Sequence, residues 1–222
     1  MTKNEEILRE LQDIKAAMNL MNENFESMKQ DYDQIKKQNT EILKQNQSLK
    51  NKVLDLENQI NNIDNYGRRQ NLEIQGIPFS PEENTKEIAY NALKKIKEDI
   101  KMDDLDLVHR LGREKNKEGK INETRAIIVR FKARQIRNAV FENRRKLYEL
   151  TCENLGYDNK NHFFINENLS PPTKTLFYEA NKLKKELNWK YIWTKNGSIY
   201  LRKEDNTQIY NIKSKEDLNL IQ

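Results

Sequence analysis

Steps of four and three residues, alternating from Ile7, land on Leu11, Ile14, Met18, Met21, Phe25, Met28, Tyr32, Ile35, Asn39, Ile42, Asn46, Leu49, Val53, Leu56, Ile60 and Ile63. Only the two asparagines interrupt this apolar series, and no Gly or Pro occurs before Gly67. A helix of 3.6 residues per turn can hold a 3.5-residue seam against a partner only by supercoiling, so a repeat this long specifies a left-handed coiled coil. A helix lying alone on a globule would carry a shorter and broader stripe. Residues 1–65 are therefore predicted to form a rod, its seam roughly 85 Å long at 1.5 Å per residue.

The spacing assigns Leu11, Met18, Phe25, Tyr32, Asn39, Asn46, Val53 and Ile60 to the a positions that drive oligomerisation. Buried amides weaken such a seam, and only an in-register partner satisfies them. Asn39 and Asn46 thus act as a register lock favouring parallel strands. The flanks agree: Glu10–Lys15, Asp31–Lys36 and Lys52–Glu57 are g-to-e pairs of opposite sign. Asparagine at a suits two strands, whereas the Met, Phe and Tyr layers also suit three, so a homo-oligomer is expected as dimer or trimer.

Charge is divided along the chain. Residues 1–65 hold nine Lys/Arg and twelve Asp/Glu, a net of −3, while the remainder holds 31 against 23, a net of +8. A rod that assembles the protein and a basic part that meets a polyanion would produce this division. The single cysteine, Cys152, excludes an intrachain disulfide and argues against structural zinc. No apolar run approaches a membrane span, and MTKNEEILRE does not read as a signal peptide. The expectation is an intracellular protein, cytoplasmic and/or nuclear, without membrane contact.

Beyond the rod, NLEIQGIP alternates as a strand closed by Gly76 and Pro78, and SPEEN opens a helix with Ile88, Ala92, Leu93, Ile96 and Ile100 as its stripe. LDLVHRL and TRAIIVRF read as strands, residues 132–150 as a second helix with Ile136, Ala139, Val140, Leu147 and Leu150 inward, and HFFIN as a fourth strand. The order βαββαβ over residues 66–168 is the ferredoxin-like arrangement that RNA-recognition (RRM) domains also use. The aromatic signature of those domains is absent: the third strand reads RAIIVRF, so base stacking on the sheet is expected to be weak. Arginines stand in its place, with Arg68, Arg69, Arg110, Arg113, Arg125, Arg130, Arg134, Arg137, Arg144 and Arg145 in this stretch. Arg137, Phe141, Arg144 and Tyr148 fall at spacings of four, three and four, on one helix face. Guanidinium forks grip phosphate and stack on bases.

Residues 169–222 read as a small α/β unit. SPPTKTLFYEANKLKKELNW is a helix with Leu176, Ala180, Leu183 and Leu187 inward, and WKYIWTKNGSIYLRK is a hairpin turning at Asn196-Gly197. TQIYNI adds a strand, and SKED caps a last short helix. Trp189, Tyr191 and Trp193 are expected on one face, with Lys195, Arg202 and Lys203 around the hairpin. The overall class is α+β.

RRQNLEIQGIP, VHRLGR and RAIIVRFKARQIRNAVFENRRKL together resemble the first open reading frame protein of LINE-type retrotransposons. INENLSPPTKTLFYEANKLKKELNWKYIWTKNGSIYLRKED resembles the C-terminal part of the baculoviral FP (few-polyhedra) protein family and related invertebrate retroelement proteins. The resemblance implies a self-associating protein that coats RNA or single-stranded DNA and acts as a nucleic-acid chaperone. Arg68, Arg69, Arg110, Arg130, Arg134, Arg137, Arg144, Arg145, Lys195 and Arg202 would then grip the backbone; Arg113 and Lys203 join them as candidates on charge alone. The alternative is a viral FP-type structural protein or coiled-coil adaptor acting through protein partners, whose folded domains would not need clustered arginines. Phosphate-loop, nucleophile-elbow and zinc-helix motifs are absent, and the only histidines are His109 and His162. No enzymatic activity, cofactor or metal is expected.

Overall fold

The computed structural model describes residues 3–112 and 125–221. It divides into two compact units, Met1–Asn58 and Gln59–Gln222. The described residues of the first belong to helix α1, Lys3–Arg68, which is 66 residues long and therefore about 100 Å at 1.5 Å per residue. The seam is uncovered in the single chain: Leu11 is 58% exposed, Tyr32 65% and Leu49 57%. Asn39 and Asn46 are exposed as well. The polar side chains bond along the helix, as in Gln45 to Glu41 at 3.1 Å and Gln47 to Asn51 at 3.2 Å. The chain is α+β, with one long N-terminal helix and antiparallel sheets.

The second unit carries two sheets. β1 (Asn71–Gln75), β2 (Leu105–Arg110), β3 (Ile127–Phe131) and β4 (Phe164–Glu167) pair antiparallel in the order β2-β3-β1-β4. One face buries Leu72, Ile74, Ile127, Val129, Phe131 and Ile165 against α2 (Thr85–Lys94) and α3 (Arg134–Glu142). Each such side chain contributes about 1.5–3 kcal/mol of hydrophobic burial. Asn84 caps α2 by accepting from Glu87 N at 3.2 Å. Gly76 is required where β1 leaves the sheet: its φ is 96°, and a Cβ there would meet the His162 carbonyl oxygen at 2.5 Å.

Two helices are shorter than their apolar stripes predict. α2 stops at Lys94, yet Ile96 and Ile100 are each only 2% exposed. They reach the core through tight turns, with Ile96 N and Lys97 N both bonded to Leu93 O. α3 gives way to a 3₁₀ segment, Asn143–Glu149, where Asn143 Nδ2 bonds the Ala139 carbonyl at 2.8 Å. Asparagine side chains compete with the helical ladder in this way.

The second sheet, β5 (Tyr191–Lys195), β6 (Ser198–Arg202) and β7 (Ile209–Ile212), is a meander under α4 (Pro171–Glu186). The hairpin turns on Asn196 and Gly197, both at positive φ, as the Asn-Gly pair predicts. Ala180, Ile199, Leu201, Ile212 and Ile221 form a separate small core.

Polar contacts tie the small sheet and α4 to the rest of the unit, and the first of them lies at the end of α1. Asn65 Oδ1 accepts from Ser170 N at 3.0 Å, and Asn65 Nδ2 donates to Thr173 Oγ1 at 2.7 Å. Ser170 Oγ donates to Asn61 Oδ1 at 2.5 Å. The last turns of α1 thus clasp the N-terminus of α4, which Ser170 also caps. Asn61 and Asn65 lie on average about 150° around the helix from Ile60 and Ile63, at 100° per residue. Those two seam residues stay 66% and 72% exposed. The second tie is Glu167, only 6% exposed, which accepts from Arg137 at 2.8 Å and from Asn196 N at 2.9 Å.

Candidate nucleic-acid interface

The candidate arginines separate into internal and open groups. Arg110 is internal: its side chain is 4% exposed and forks onto Glu83 with Nε–Oε1 at 2.7 Å and NH2–Oε2 at 2.8 Å. It also donates to the carbonyls of Ile77, Pro78 and Arg125. Burial alone would raise the Glu83 pKa, but the Arg110 hydrogen bond, the Ser80 backbone bond and the Arg110 charge hold it below the usual 4.5. Arg137, 3% exposed, is likewise committed to Glu167 and Asn138, with its guanidinium 4.9 Å from the Phe141 ring. Arg110 is consumed inside the fold, whereas Arg137, though paired with Glu167, borders a hollow beside Phe141 and Arg144.

Arg68 is half internal, bonded to Asp64 at 2.8 Å and Asn168 at 3.1 Å. Its neighbour Arg69 lies over the exposed Tyr66 ring at 5.1 Å, and Arg134 approaches the same ring at 5.4 Å. Arg130 stands on the exposed side of β3 beside Asp106 at 3.3 Å. Lys203 is exposed. Arg113 lies outside the described residues.

Arg144, Arg145 and Arg202 are brought together from sequence positions almost 60 apart. They line a 460 Å³ hollow with Tyr148, Tyr191, Ile192, Trp193 and Ile209. A second hollow of 250 Å³ adjoins it, sharing Arg144 and Trp193 and adding Phe141 and Lys195. The two make one trough between the α3–3₁₀ segment and β5. The predicted face Arg137, Phe141, Arg144 and Tyr148 runs along its wall, although only the first two residues are in the α-helix proper. Arg144 lies 3.9 Å from the Phe141 ring centroid and donates to the Phe141 carbonyl at 2.7 Å. Partial burial lowers its pKa, an effect that Tyr148 opposes and Arg145 reinforces. Arg202 covers Tyr191 at 4.6 Å and meets Asp205 at 3.6 Å, and Asp205 also takes the Tyr191 hydroxyl at 2.6 Å and the Lys190 ammonium.

The three aromatics expected on one face divide. Tyr191 and Trp193 line the trough, whereas Trp189 packs on the α4 core, 5.4 Å from Tyr210. The strand begins only at Tyr191; Trp189 still belongs to the turn after α4, with its N–H on Lys184 O. Alternation therefore does not extend back to it. Asp205 and the clasp residues Asn61, Asn65 and Thr173 were not signalled by the sequence at all, because their partners are set by tertiary structure.

The outer face of the four-stranded sheet is partly roofed. Lys174 reaches the buried Glu73 at 3.3 Å, and Phe177 and Tyr178 of α4 line a 250 Å³ hollow over Gln75 and Asn166. Among the described residues there is no cluster of side chains suited to a metal, and no helix is long and apolar enough to cross a membrane.

Residues 170–222 match the family model described as Baculovirus FP protein domain 2. The match coincides with α4, the three-stranded sheet and the final 3₁₀ turn, the segment whose sequence resembles the FP family. No curated protein matches the chain.

Proposed function

We infer that this is an FP-type, self-associating protein whose folded unit binds single-stranded RNA or DNA along the trough, without catalysis. The observation that carries this reading is the convergence of Arg144, Arg145 and Arg202 with Tyr148, Tyr191 and Trp193. Guanidinium groups neutralise phosphates, and rings accept unpaired bases whatever their identity. The strand order β2-β3-β1-β4, with α2 and α3 on one face, supports a ferredoxin-like, RRM-like reading of the larger sheet. Because α4 covers the β1–β4 side of that sheet, the trough rather than the sheet is the proposed route. The in-phase, uncovered seam of α1 supports a parallel coiled coil of two or three copies, each bringing one trough. Such tethering multiplies weak contacts into avidity and permits exchange and annealing, the work of a chaperone and of a retrotransposon-like ribonucleoprotein component.

Titration of the full chain with single-stranded RNA from low to high salt tests this. The expected result is affinity that falls linearly on a log–log plot, with a slope near −0.7 per phosphate contact. Absence of binding at low salt would sink it. A second reading, an FP-type structural or adaptor protein acting through protein partners, is favoured by the family match itself and predicts that null result alongside retained self-association.

A further inference from the structure

The rings in the trough are not equivalent. Phe141 has Arg137 at 4.9 Å and Arg144 at 3.9 Å from its centroid, and Tyr191 has Lys190 at 5.1 Å and Arg202 at 4.6 Å. Both rings already carry two cations. Trp193 and Tyr148 carry none among the described residues. Tyr148 is 64% exposed. Trp193 is partly buried: it stacks on Tyr200 across the hairpin, centroids 5.7 Å apart and planes 18° from parallel, and borders both hollows. The cross-strand stack fixes the indole plane, so little side-chain entropy remains to be lost when a base docks. Cations lie to either side, Arg144 and Arg145 on the helical wall and Arg202 on the strand wall.

Building on the nucleic-acid reading of the trough, we propose that Trp193 is a base-stacking platform that makes the trough selective for unpaired nucleotides. A duplex hides its base faces and offers only phosphates, so it can use the arginines but not the indole. A single strand uses both, its phosphates on Arg144, Arg145 and Arg202 and one base on Trp193, with Tyr148 at the trough's edge receiving a neighbour. Stacking is indifferent to base identity, which accords with a binder of broad sequence tolerance.

The chain contains only two tryptophans, and Trp189 is packed on the α4 core, so emission can be assigned. The full-length Trp189→Phe protein, its fold checked by circular dichroism, leaves Trp193 as the sole reporter. It is titrated with oligo(dT), with an abasic oligomer of equal length, and with a duplex, while fluorescence anisotropy of labelled nucleic acid measures binding independently. Expected are saturable quenching of Trp193 by oligo(dT) in step with anisotropy, and none by the abasic oligomer or the duplex. Trp193→Ala is expected to weaken oligo(dT) binding about five- to a hundred-fold, with Trp193→Phe restoring most of it and duplex binding little changed. Oligo(dT) that binds by anisotropy without quenching Trp193, or duplex that quenches it equally, would overturn the stacking role while leaving the basic trough intact. Absence of anisotropy change at low salt would overturn the trough reading and this inference with it.

Discussion

Arg110 and Arg144 belong to the same charge-rich stretch of sequence and do opposite things. The first is enclosed, with a carboxylate and three carbonyls consuming its donors. The second lines an open trough beside two further arginines. A buried guanidinium stabilises the fold only while its partner is present, and removing one member leaves an uncompensated charge. An open one leaves the fold almost indifferent and is available to a ligand. Counting arginines therefore overstates the interface, and the partner of each decides which role it takes.

The comparison can be broken most forcefully at Arg110. Arg110→Ala is expected to destabilise the folded unit by about 3–5 kcal/mol, read from the denaturant midpoint of tryptophan fluorescence. A loss under about 1 kcal/mol would show that the enclosed pair matters no more than a surface one. Next in size is the triple change Arg144→Ala, Arg145→Ala and Arg202→Ala. It should weaken single-stranded RNA binding at least ten-fold and flatten the salt slope by about 0.7 per lost phosphate contact, leaving the unfolding midpoint nearly unchanged. Unfolding of that variant would place these arginines with Arg110.

Acid sharpens the contrast. The folded-state pKa of Glu83 is held below its ordinary 4.5, so the stability it contributes is complete above that value and is lost as pH falls through the folded value. Glu83→Gln should lower stability at neutral pH and shrink the drop between about pH 5 and pH 3, measured by thermal melting. An unaltered acid limb would locate the pH dependence elsewhere. The smallest expected effect is a gain. Asp205 competes for Arg202, and its own pKa is lowered chiefly by its hydrogen bonds to Lys190 and Tyr191. Asp205→Asn should raise RNA affinity about two- to five-fold at low salt, the scale of one exposed ion pair. Weaker binding would mean that Asp205 instead positions Tyr191 and Arg202 for the ligand.

What the sequence discloses depends on how local the cause is. The 3.5-residue repeat marks α1, Asn196-Gly197 marks the hairpin and Ser170-Pro171 marks the start of α4, because each signal lies within a turn or two of its effect. The commitment of Arg110 is not legible, since Glu83 is 27 residues away. The same holds for Arg137 and Glu167, separated by 30, and for Asn65 and Ser170, separated by 105. Phase errors are the other limit: Trp189 shares a spacing with Tyr191 and Trp193 but sits before the strand register begins.

The Asn61–Asn65 clasp bears on how the molecule can be dissected. A fragment cut at residue 170, where the family match begins, would strip Ser170 and Thr173 of Asn61 and Asn65 and leave the hairpin amides without Glu167. It would strand a core of five buried apolar side chains with its moorings gone. A fragment beginning at residue 59 keeps every one of them, and the peptide NNIDN at 61–65 is better regarded as the first piece of the C-terminal module than as the tail of the rod.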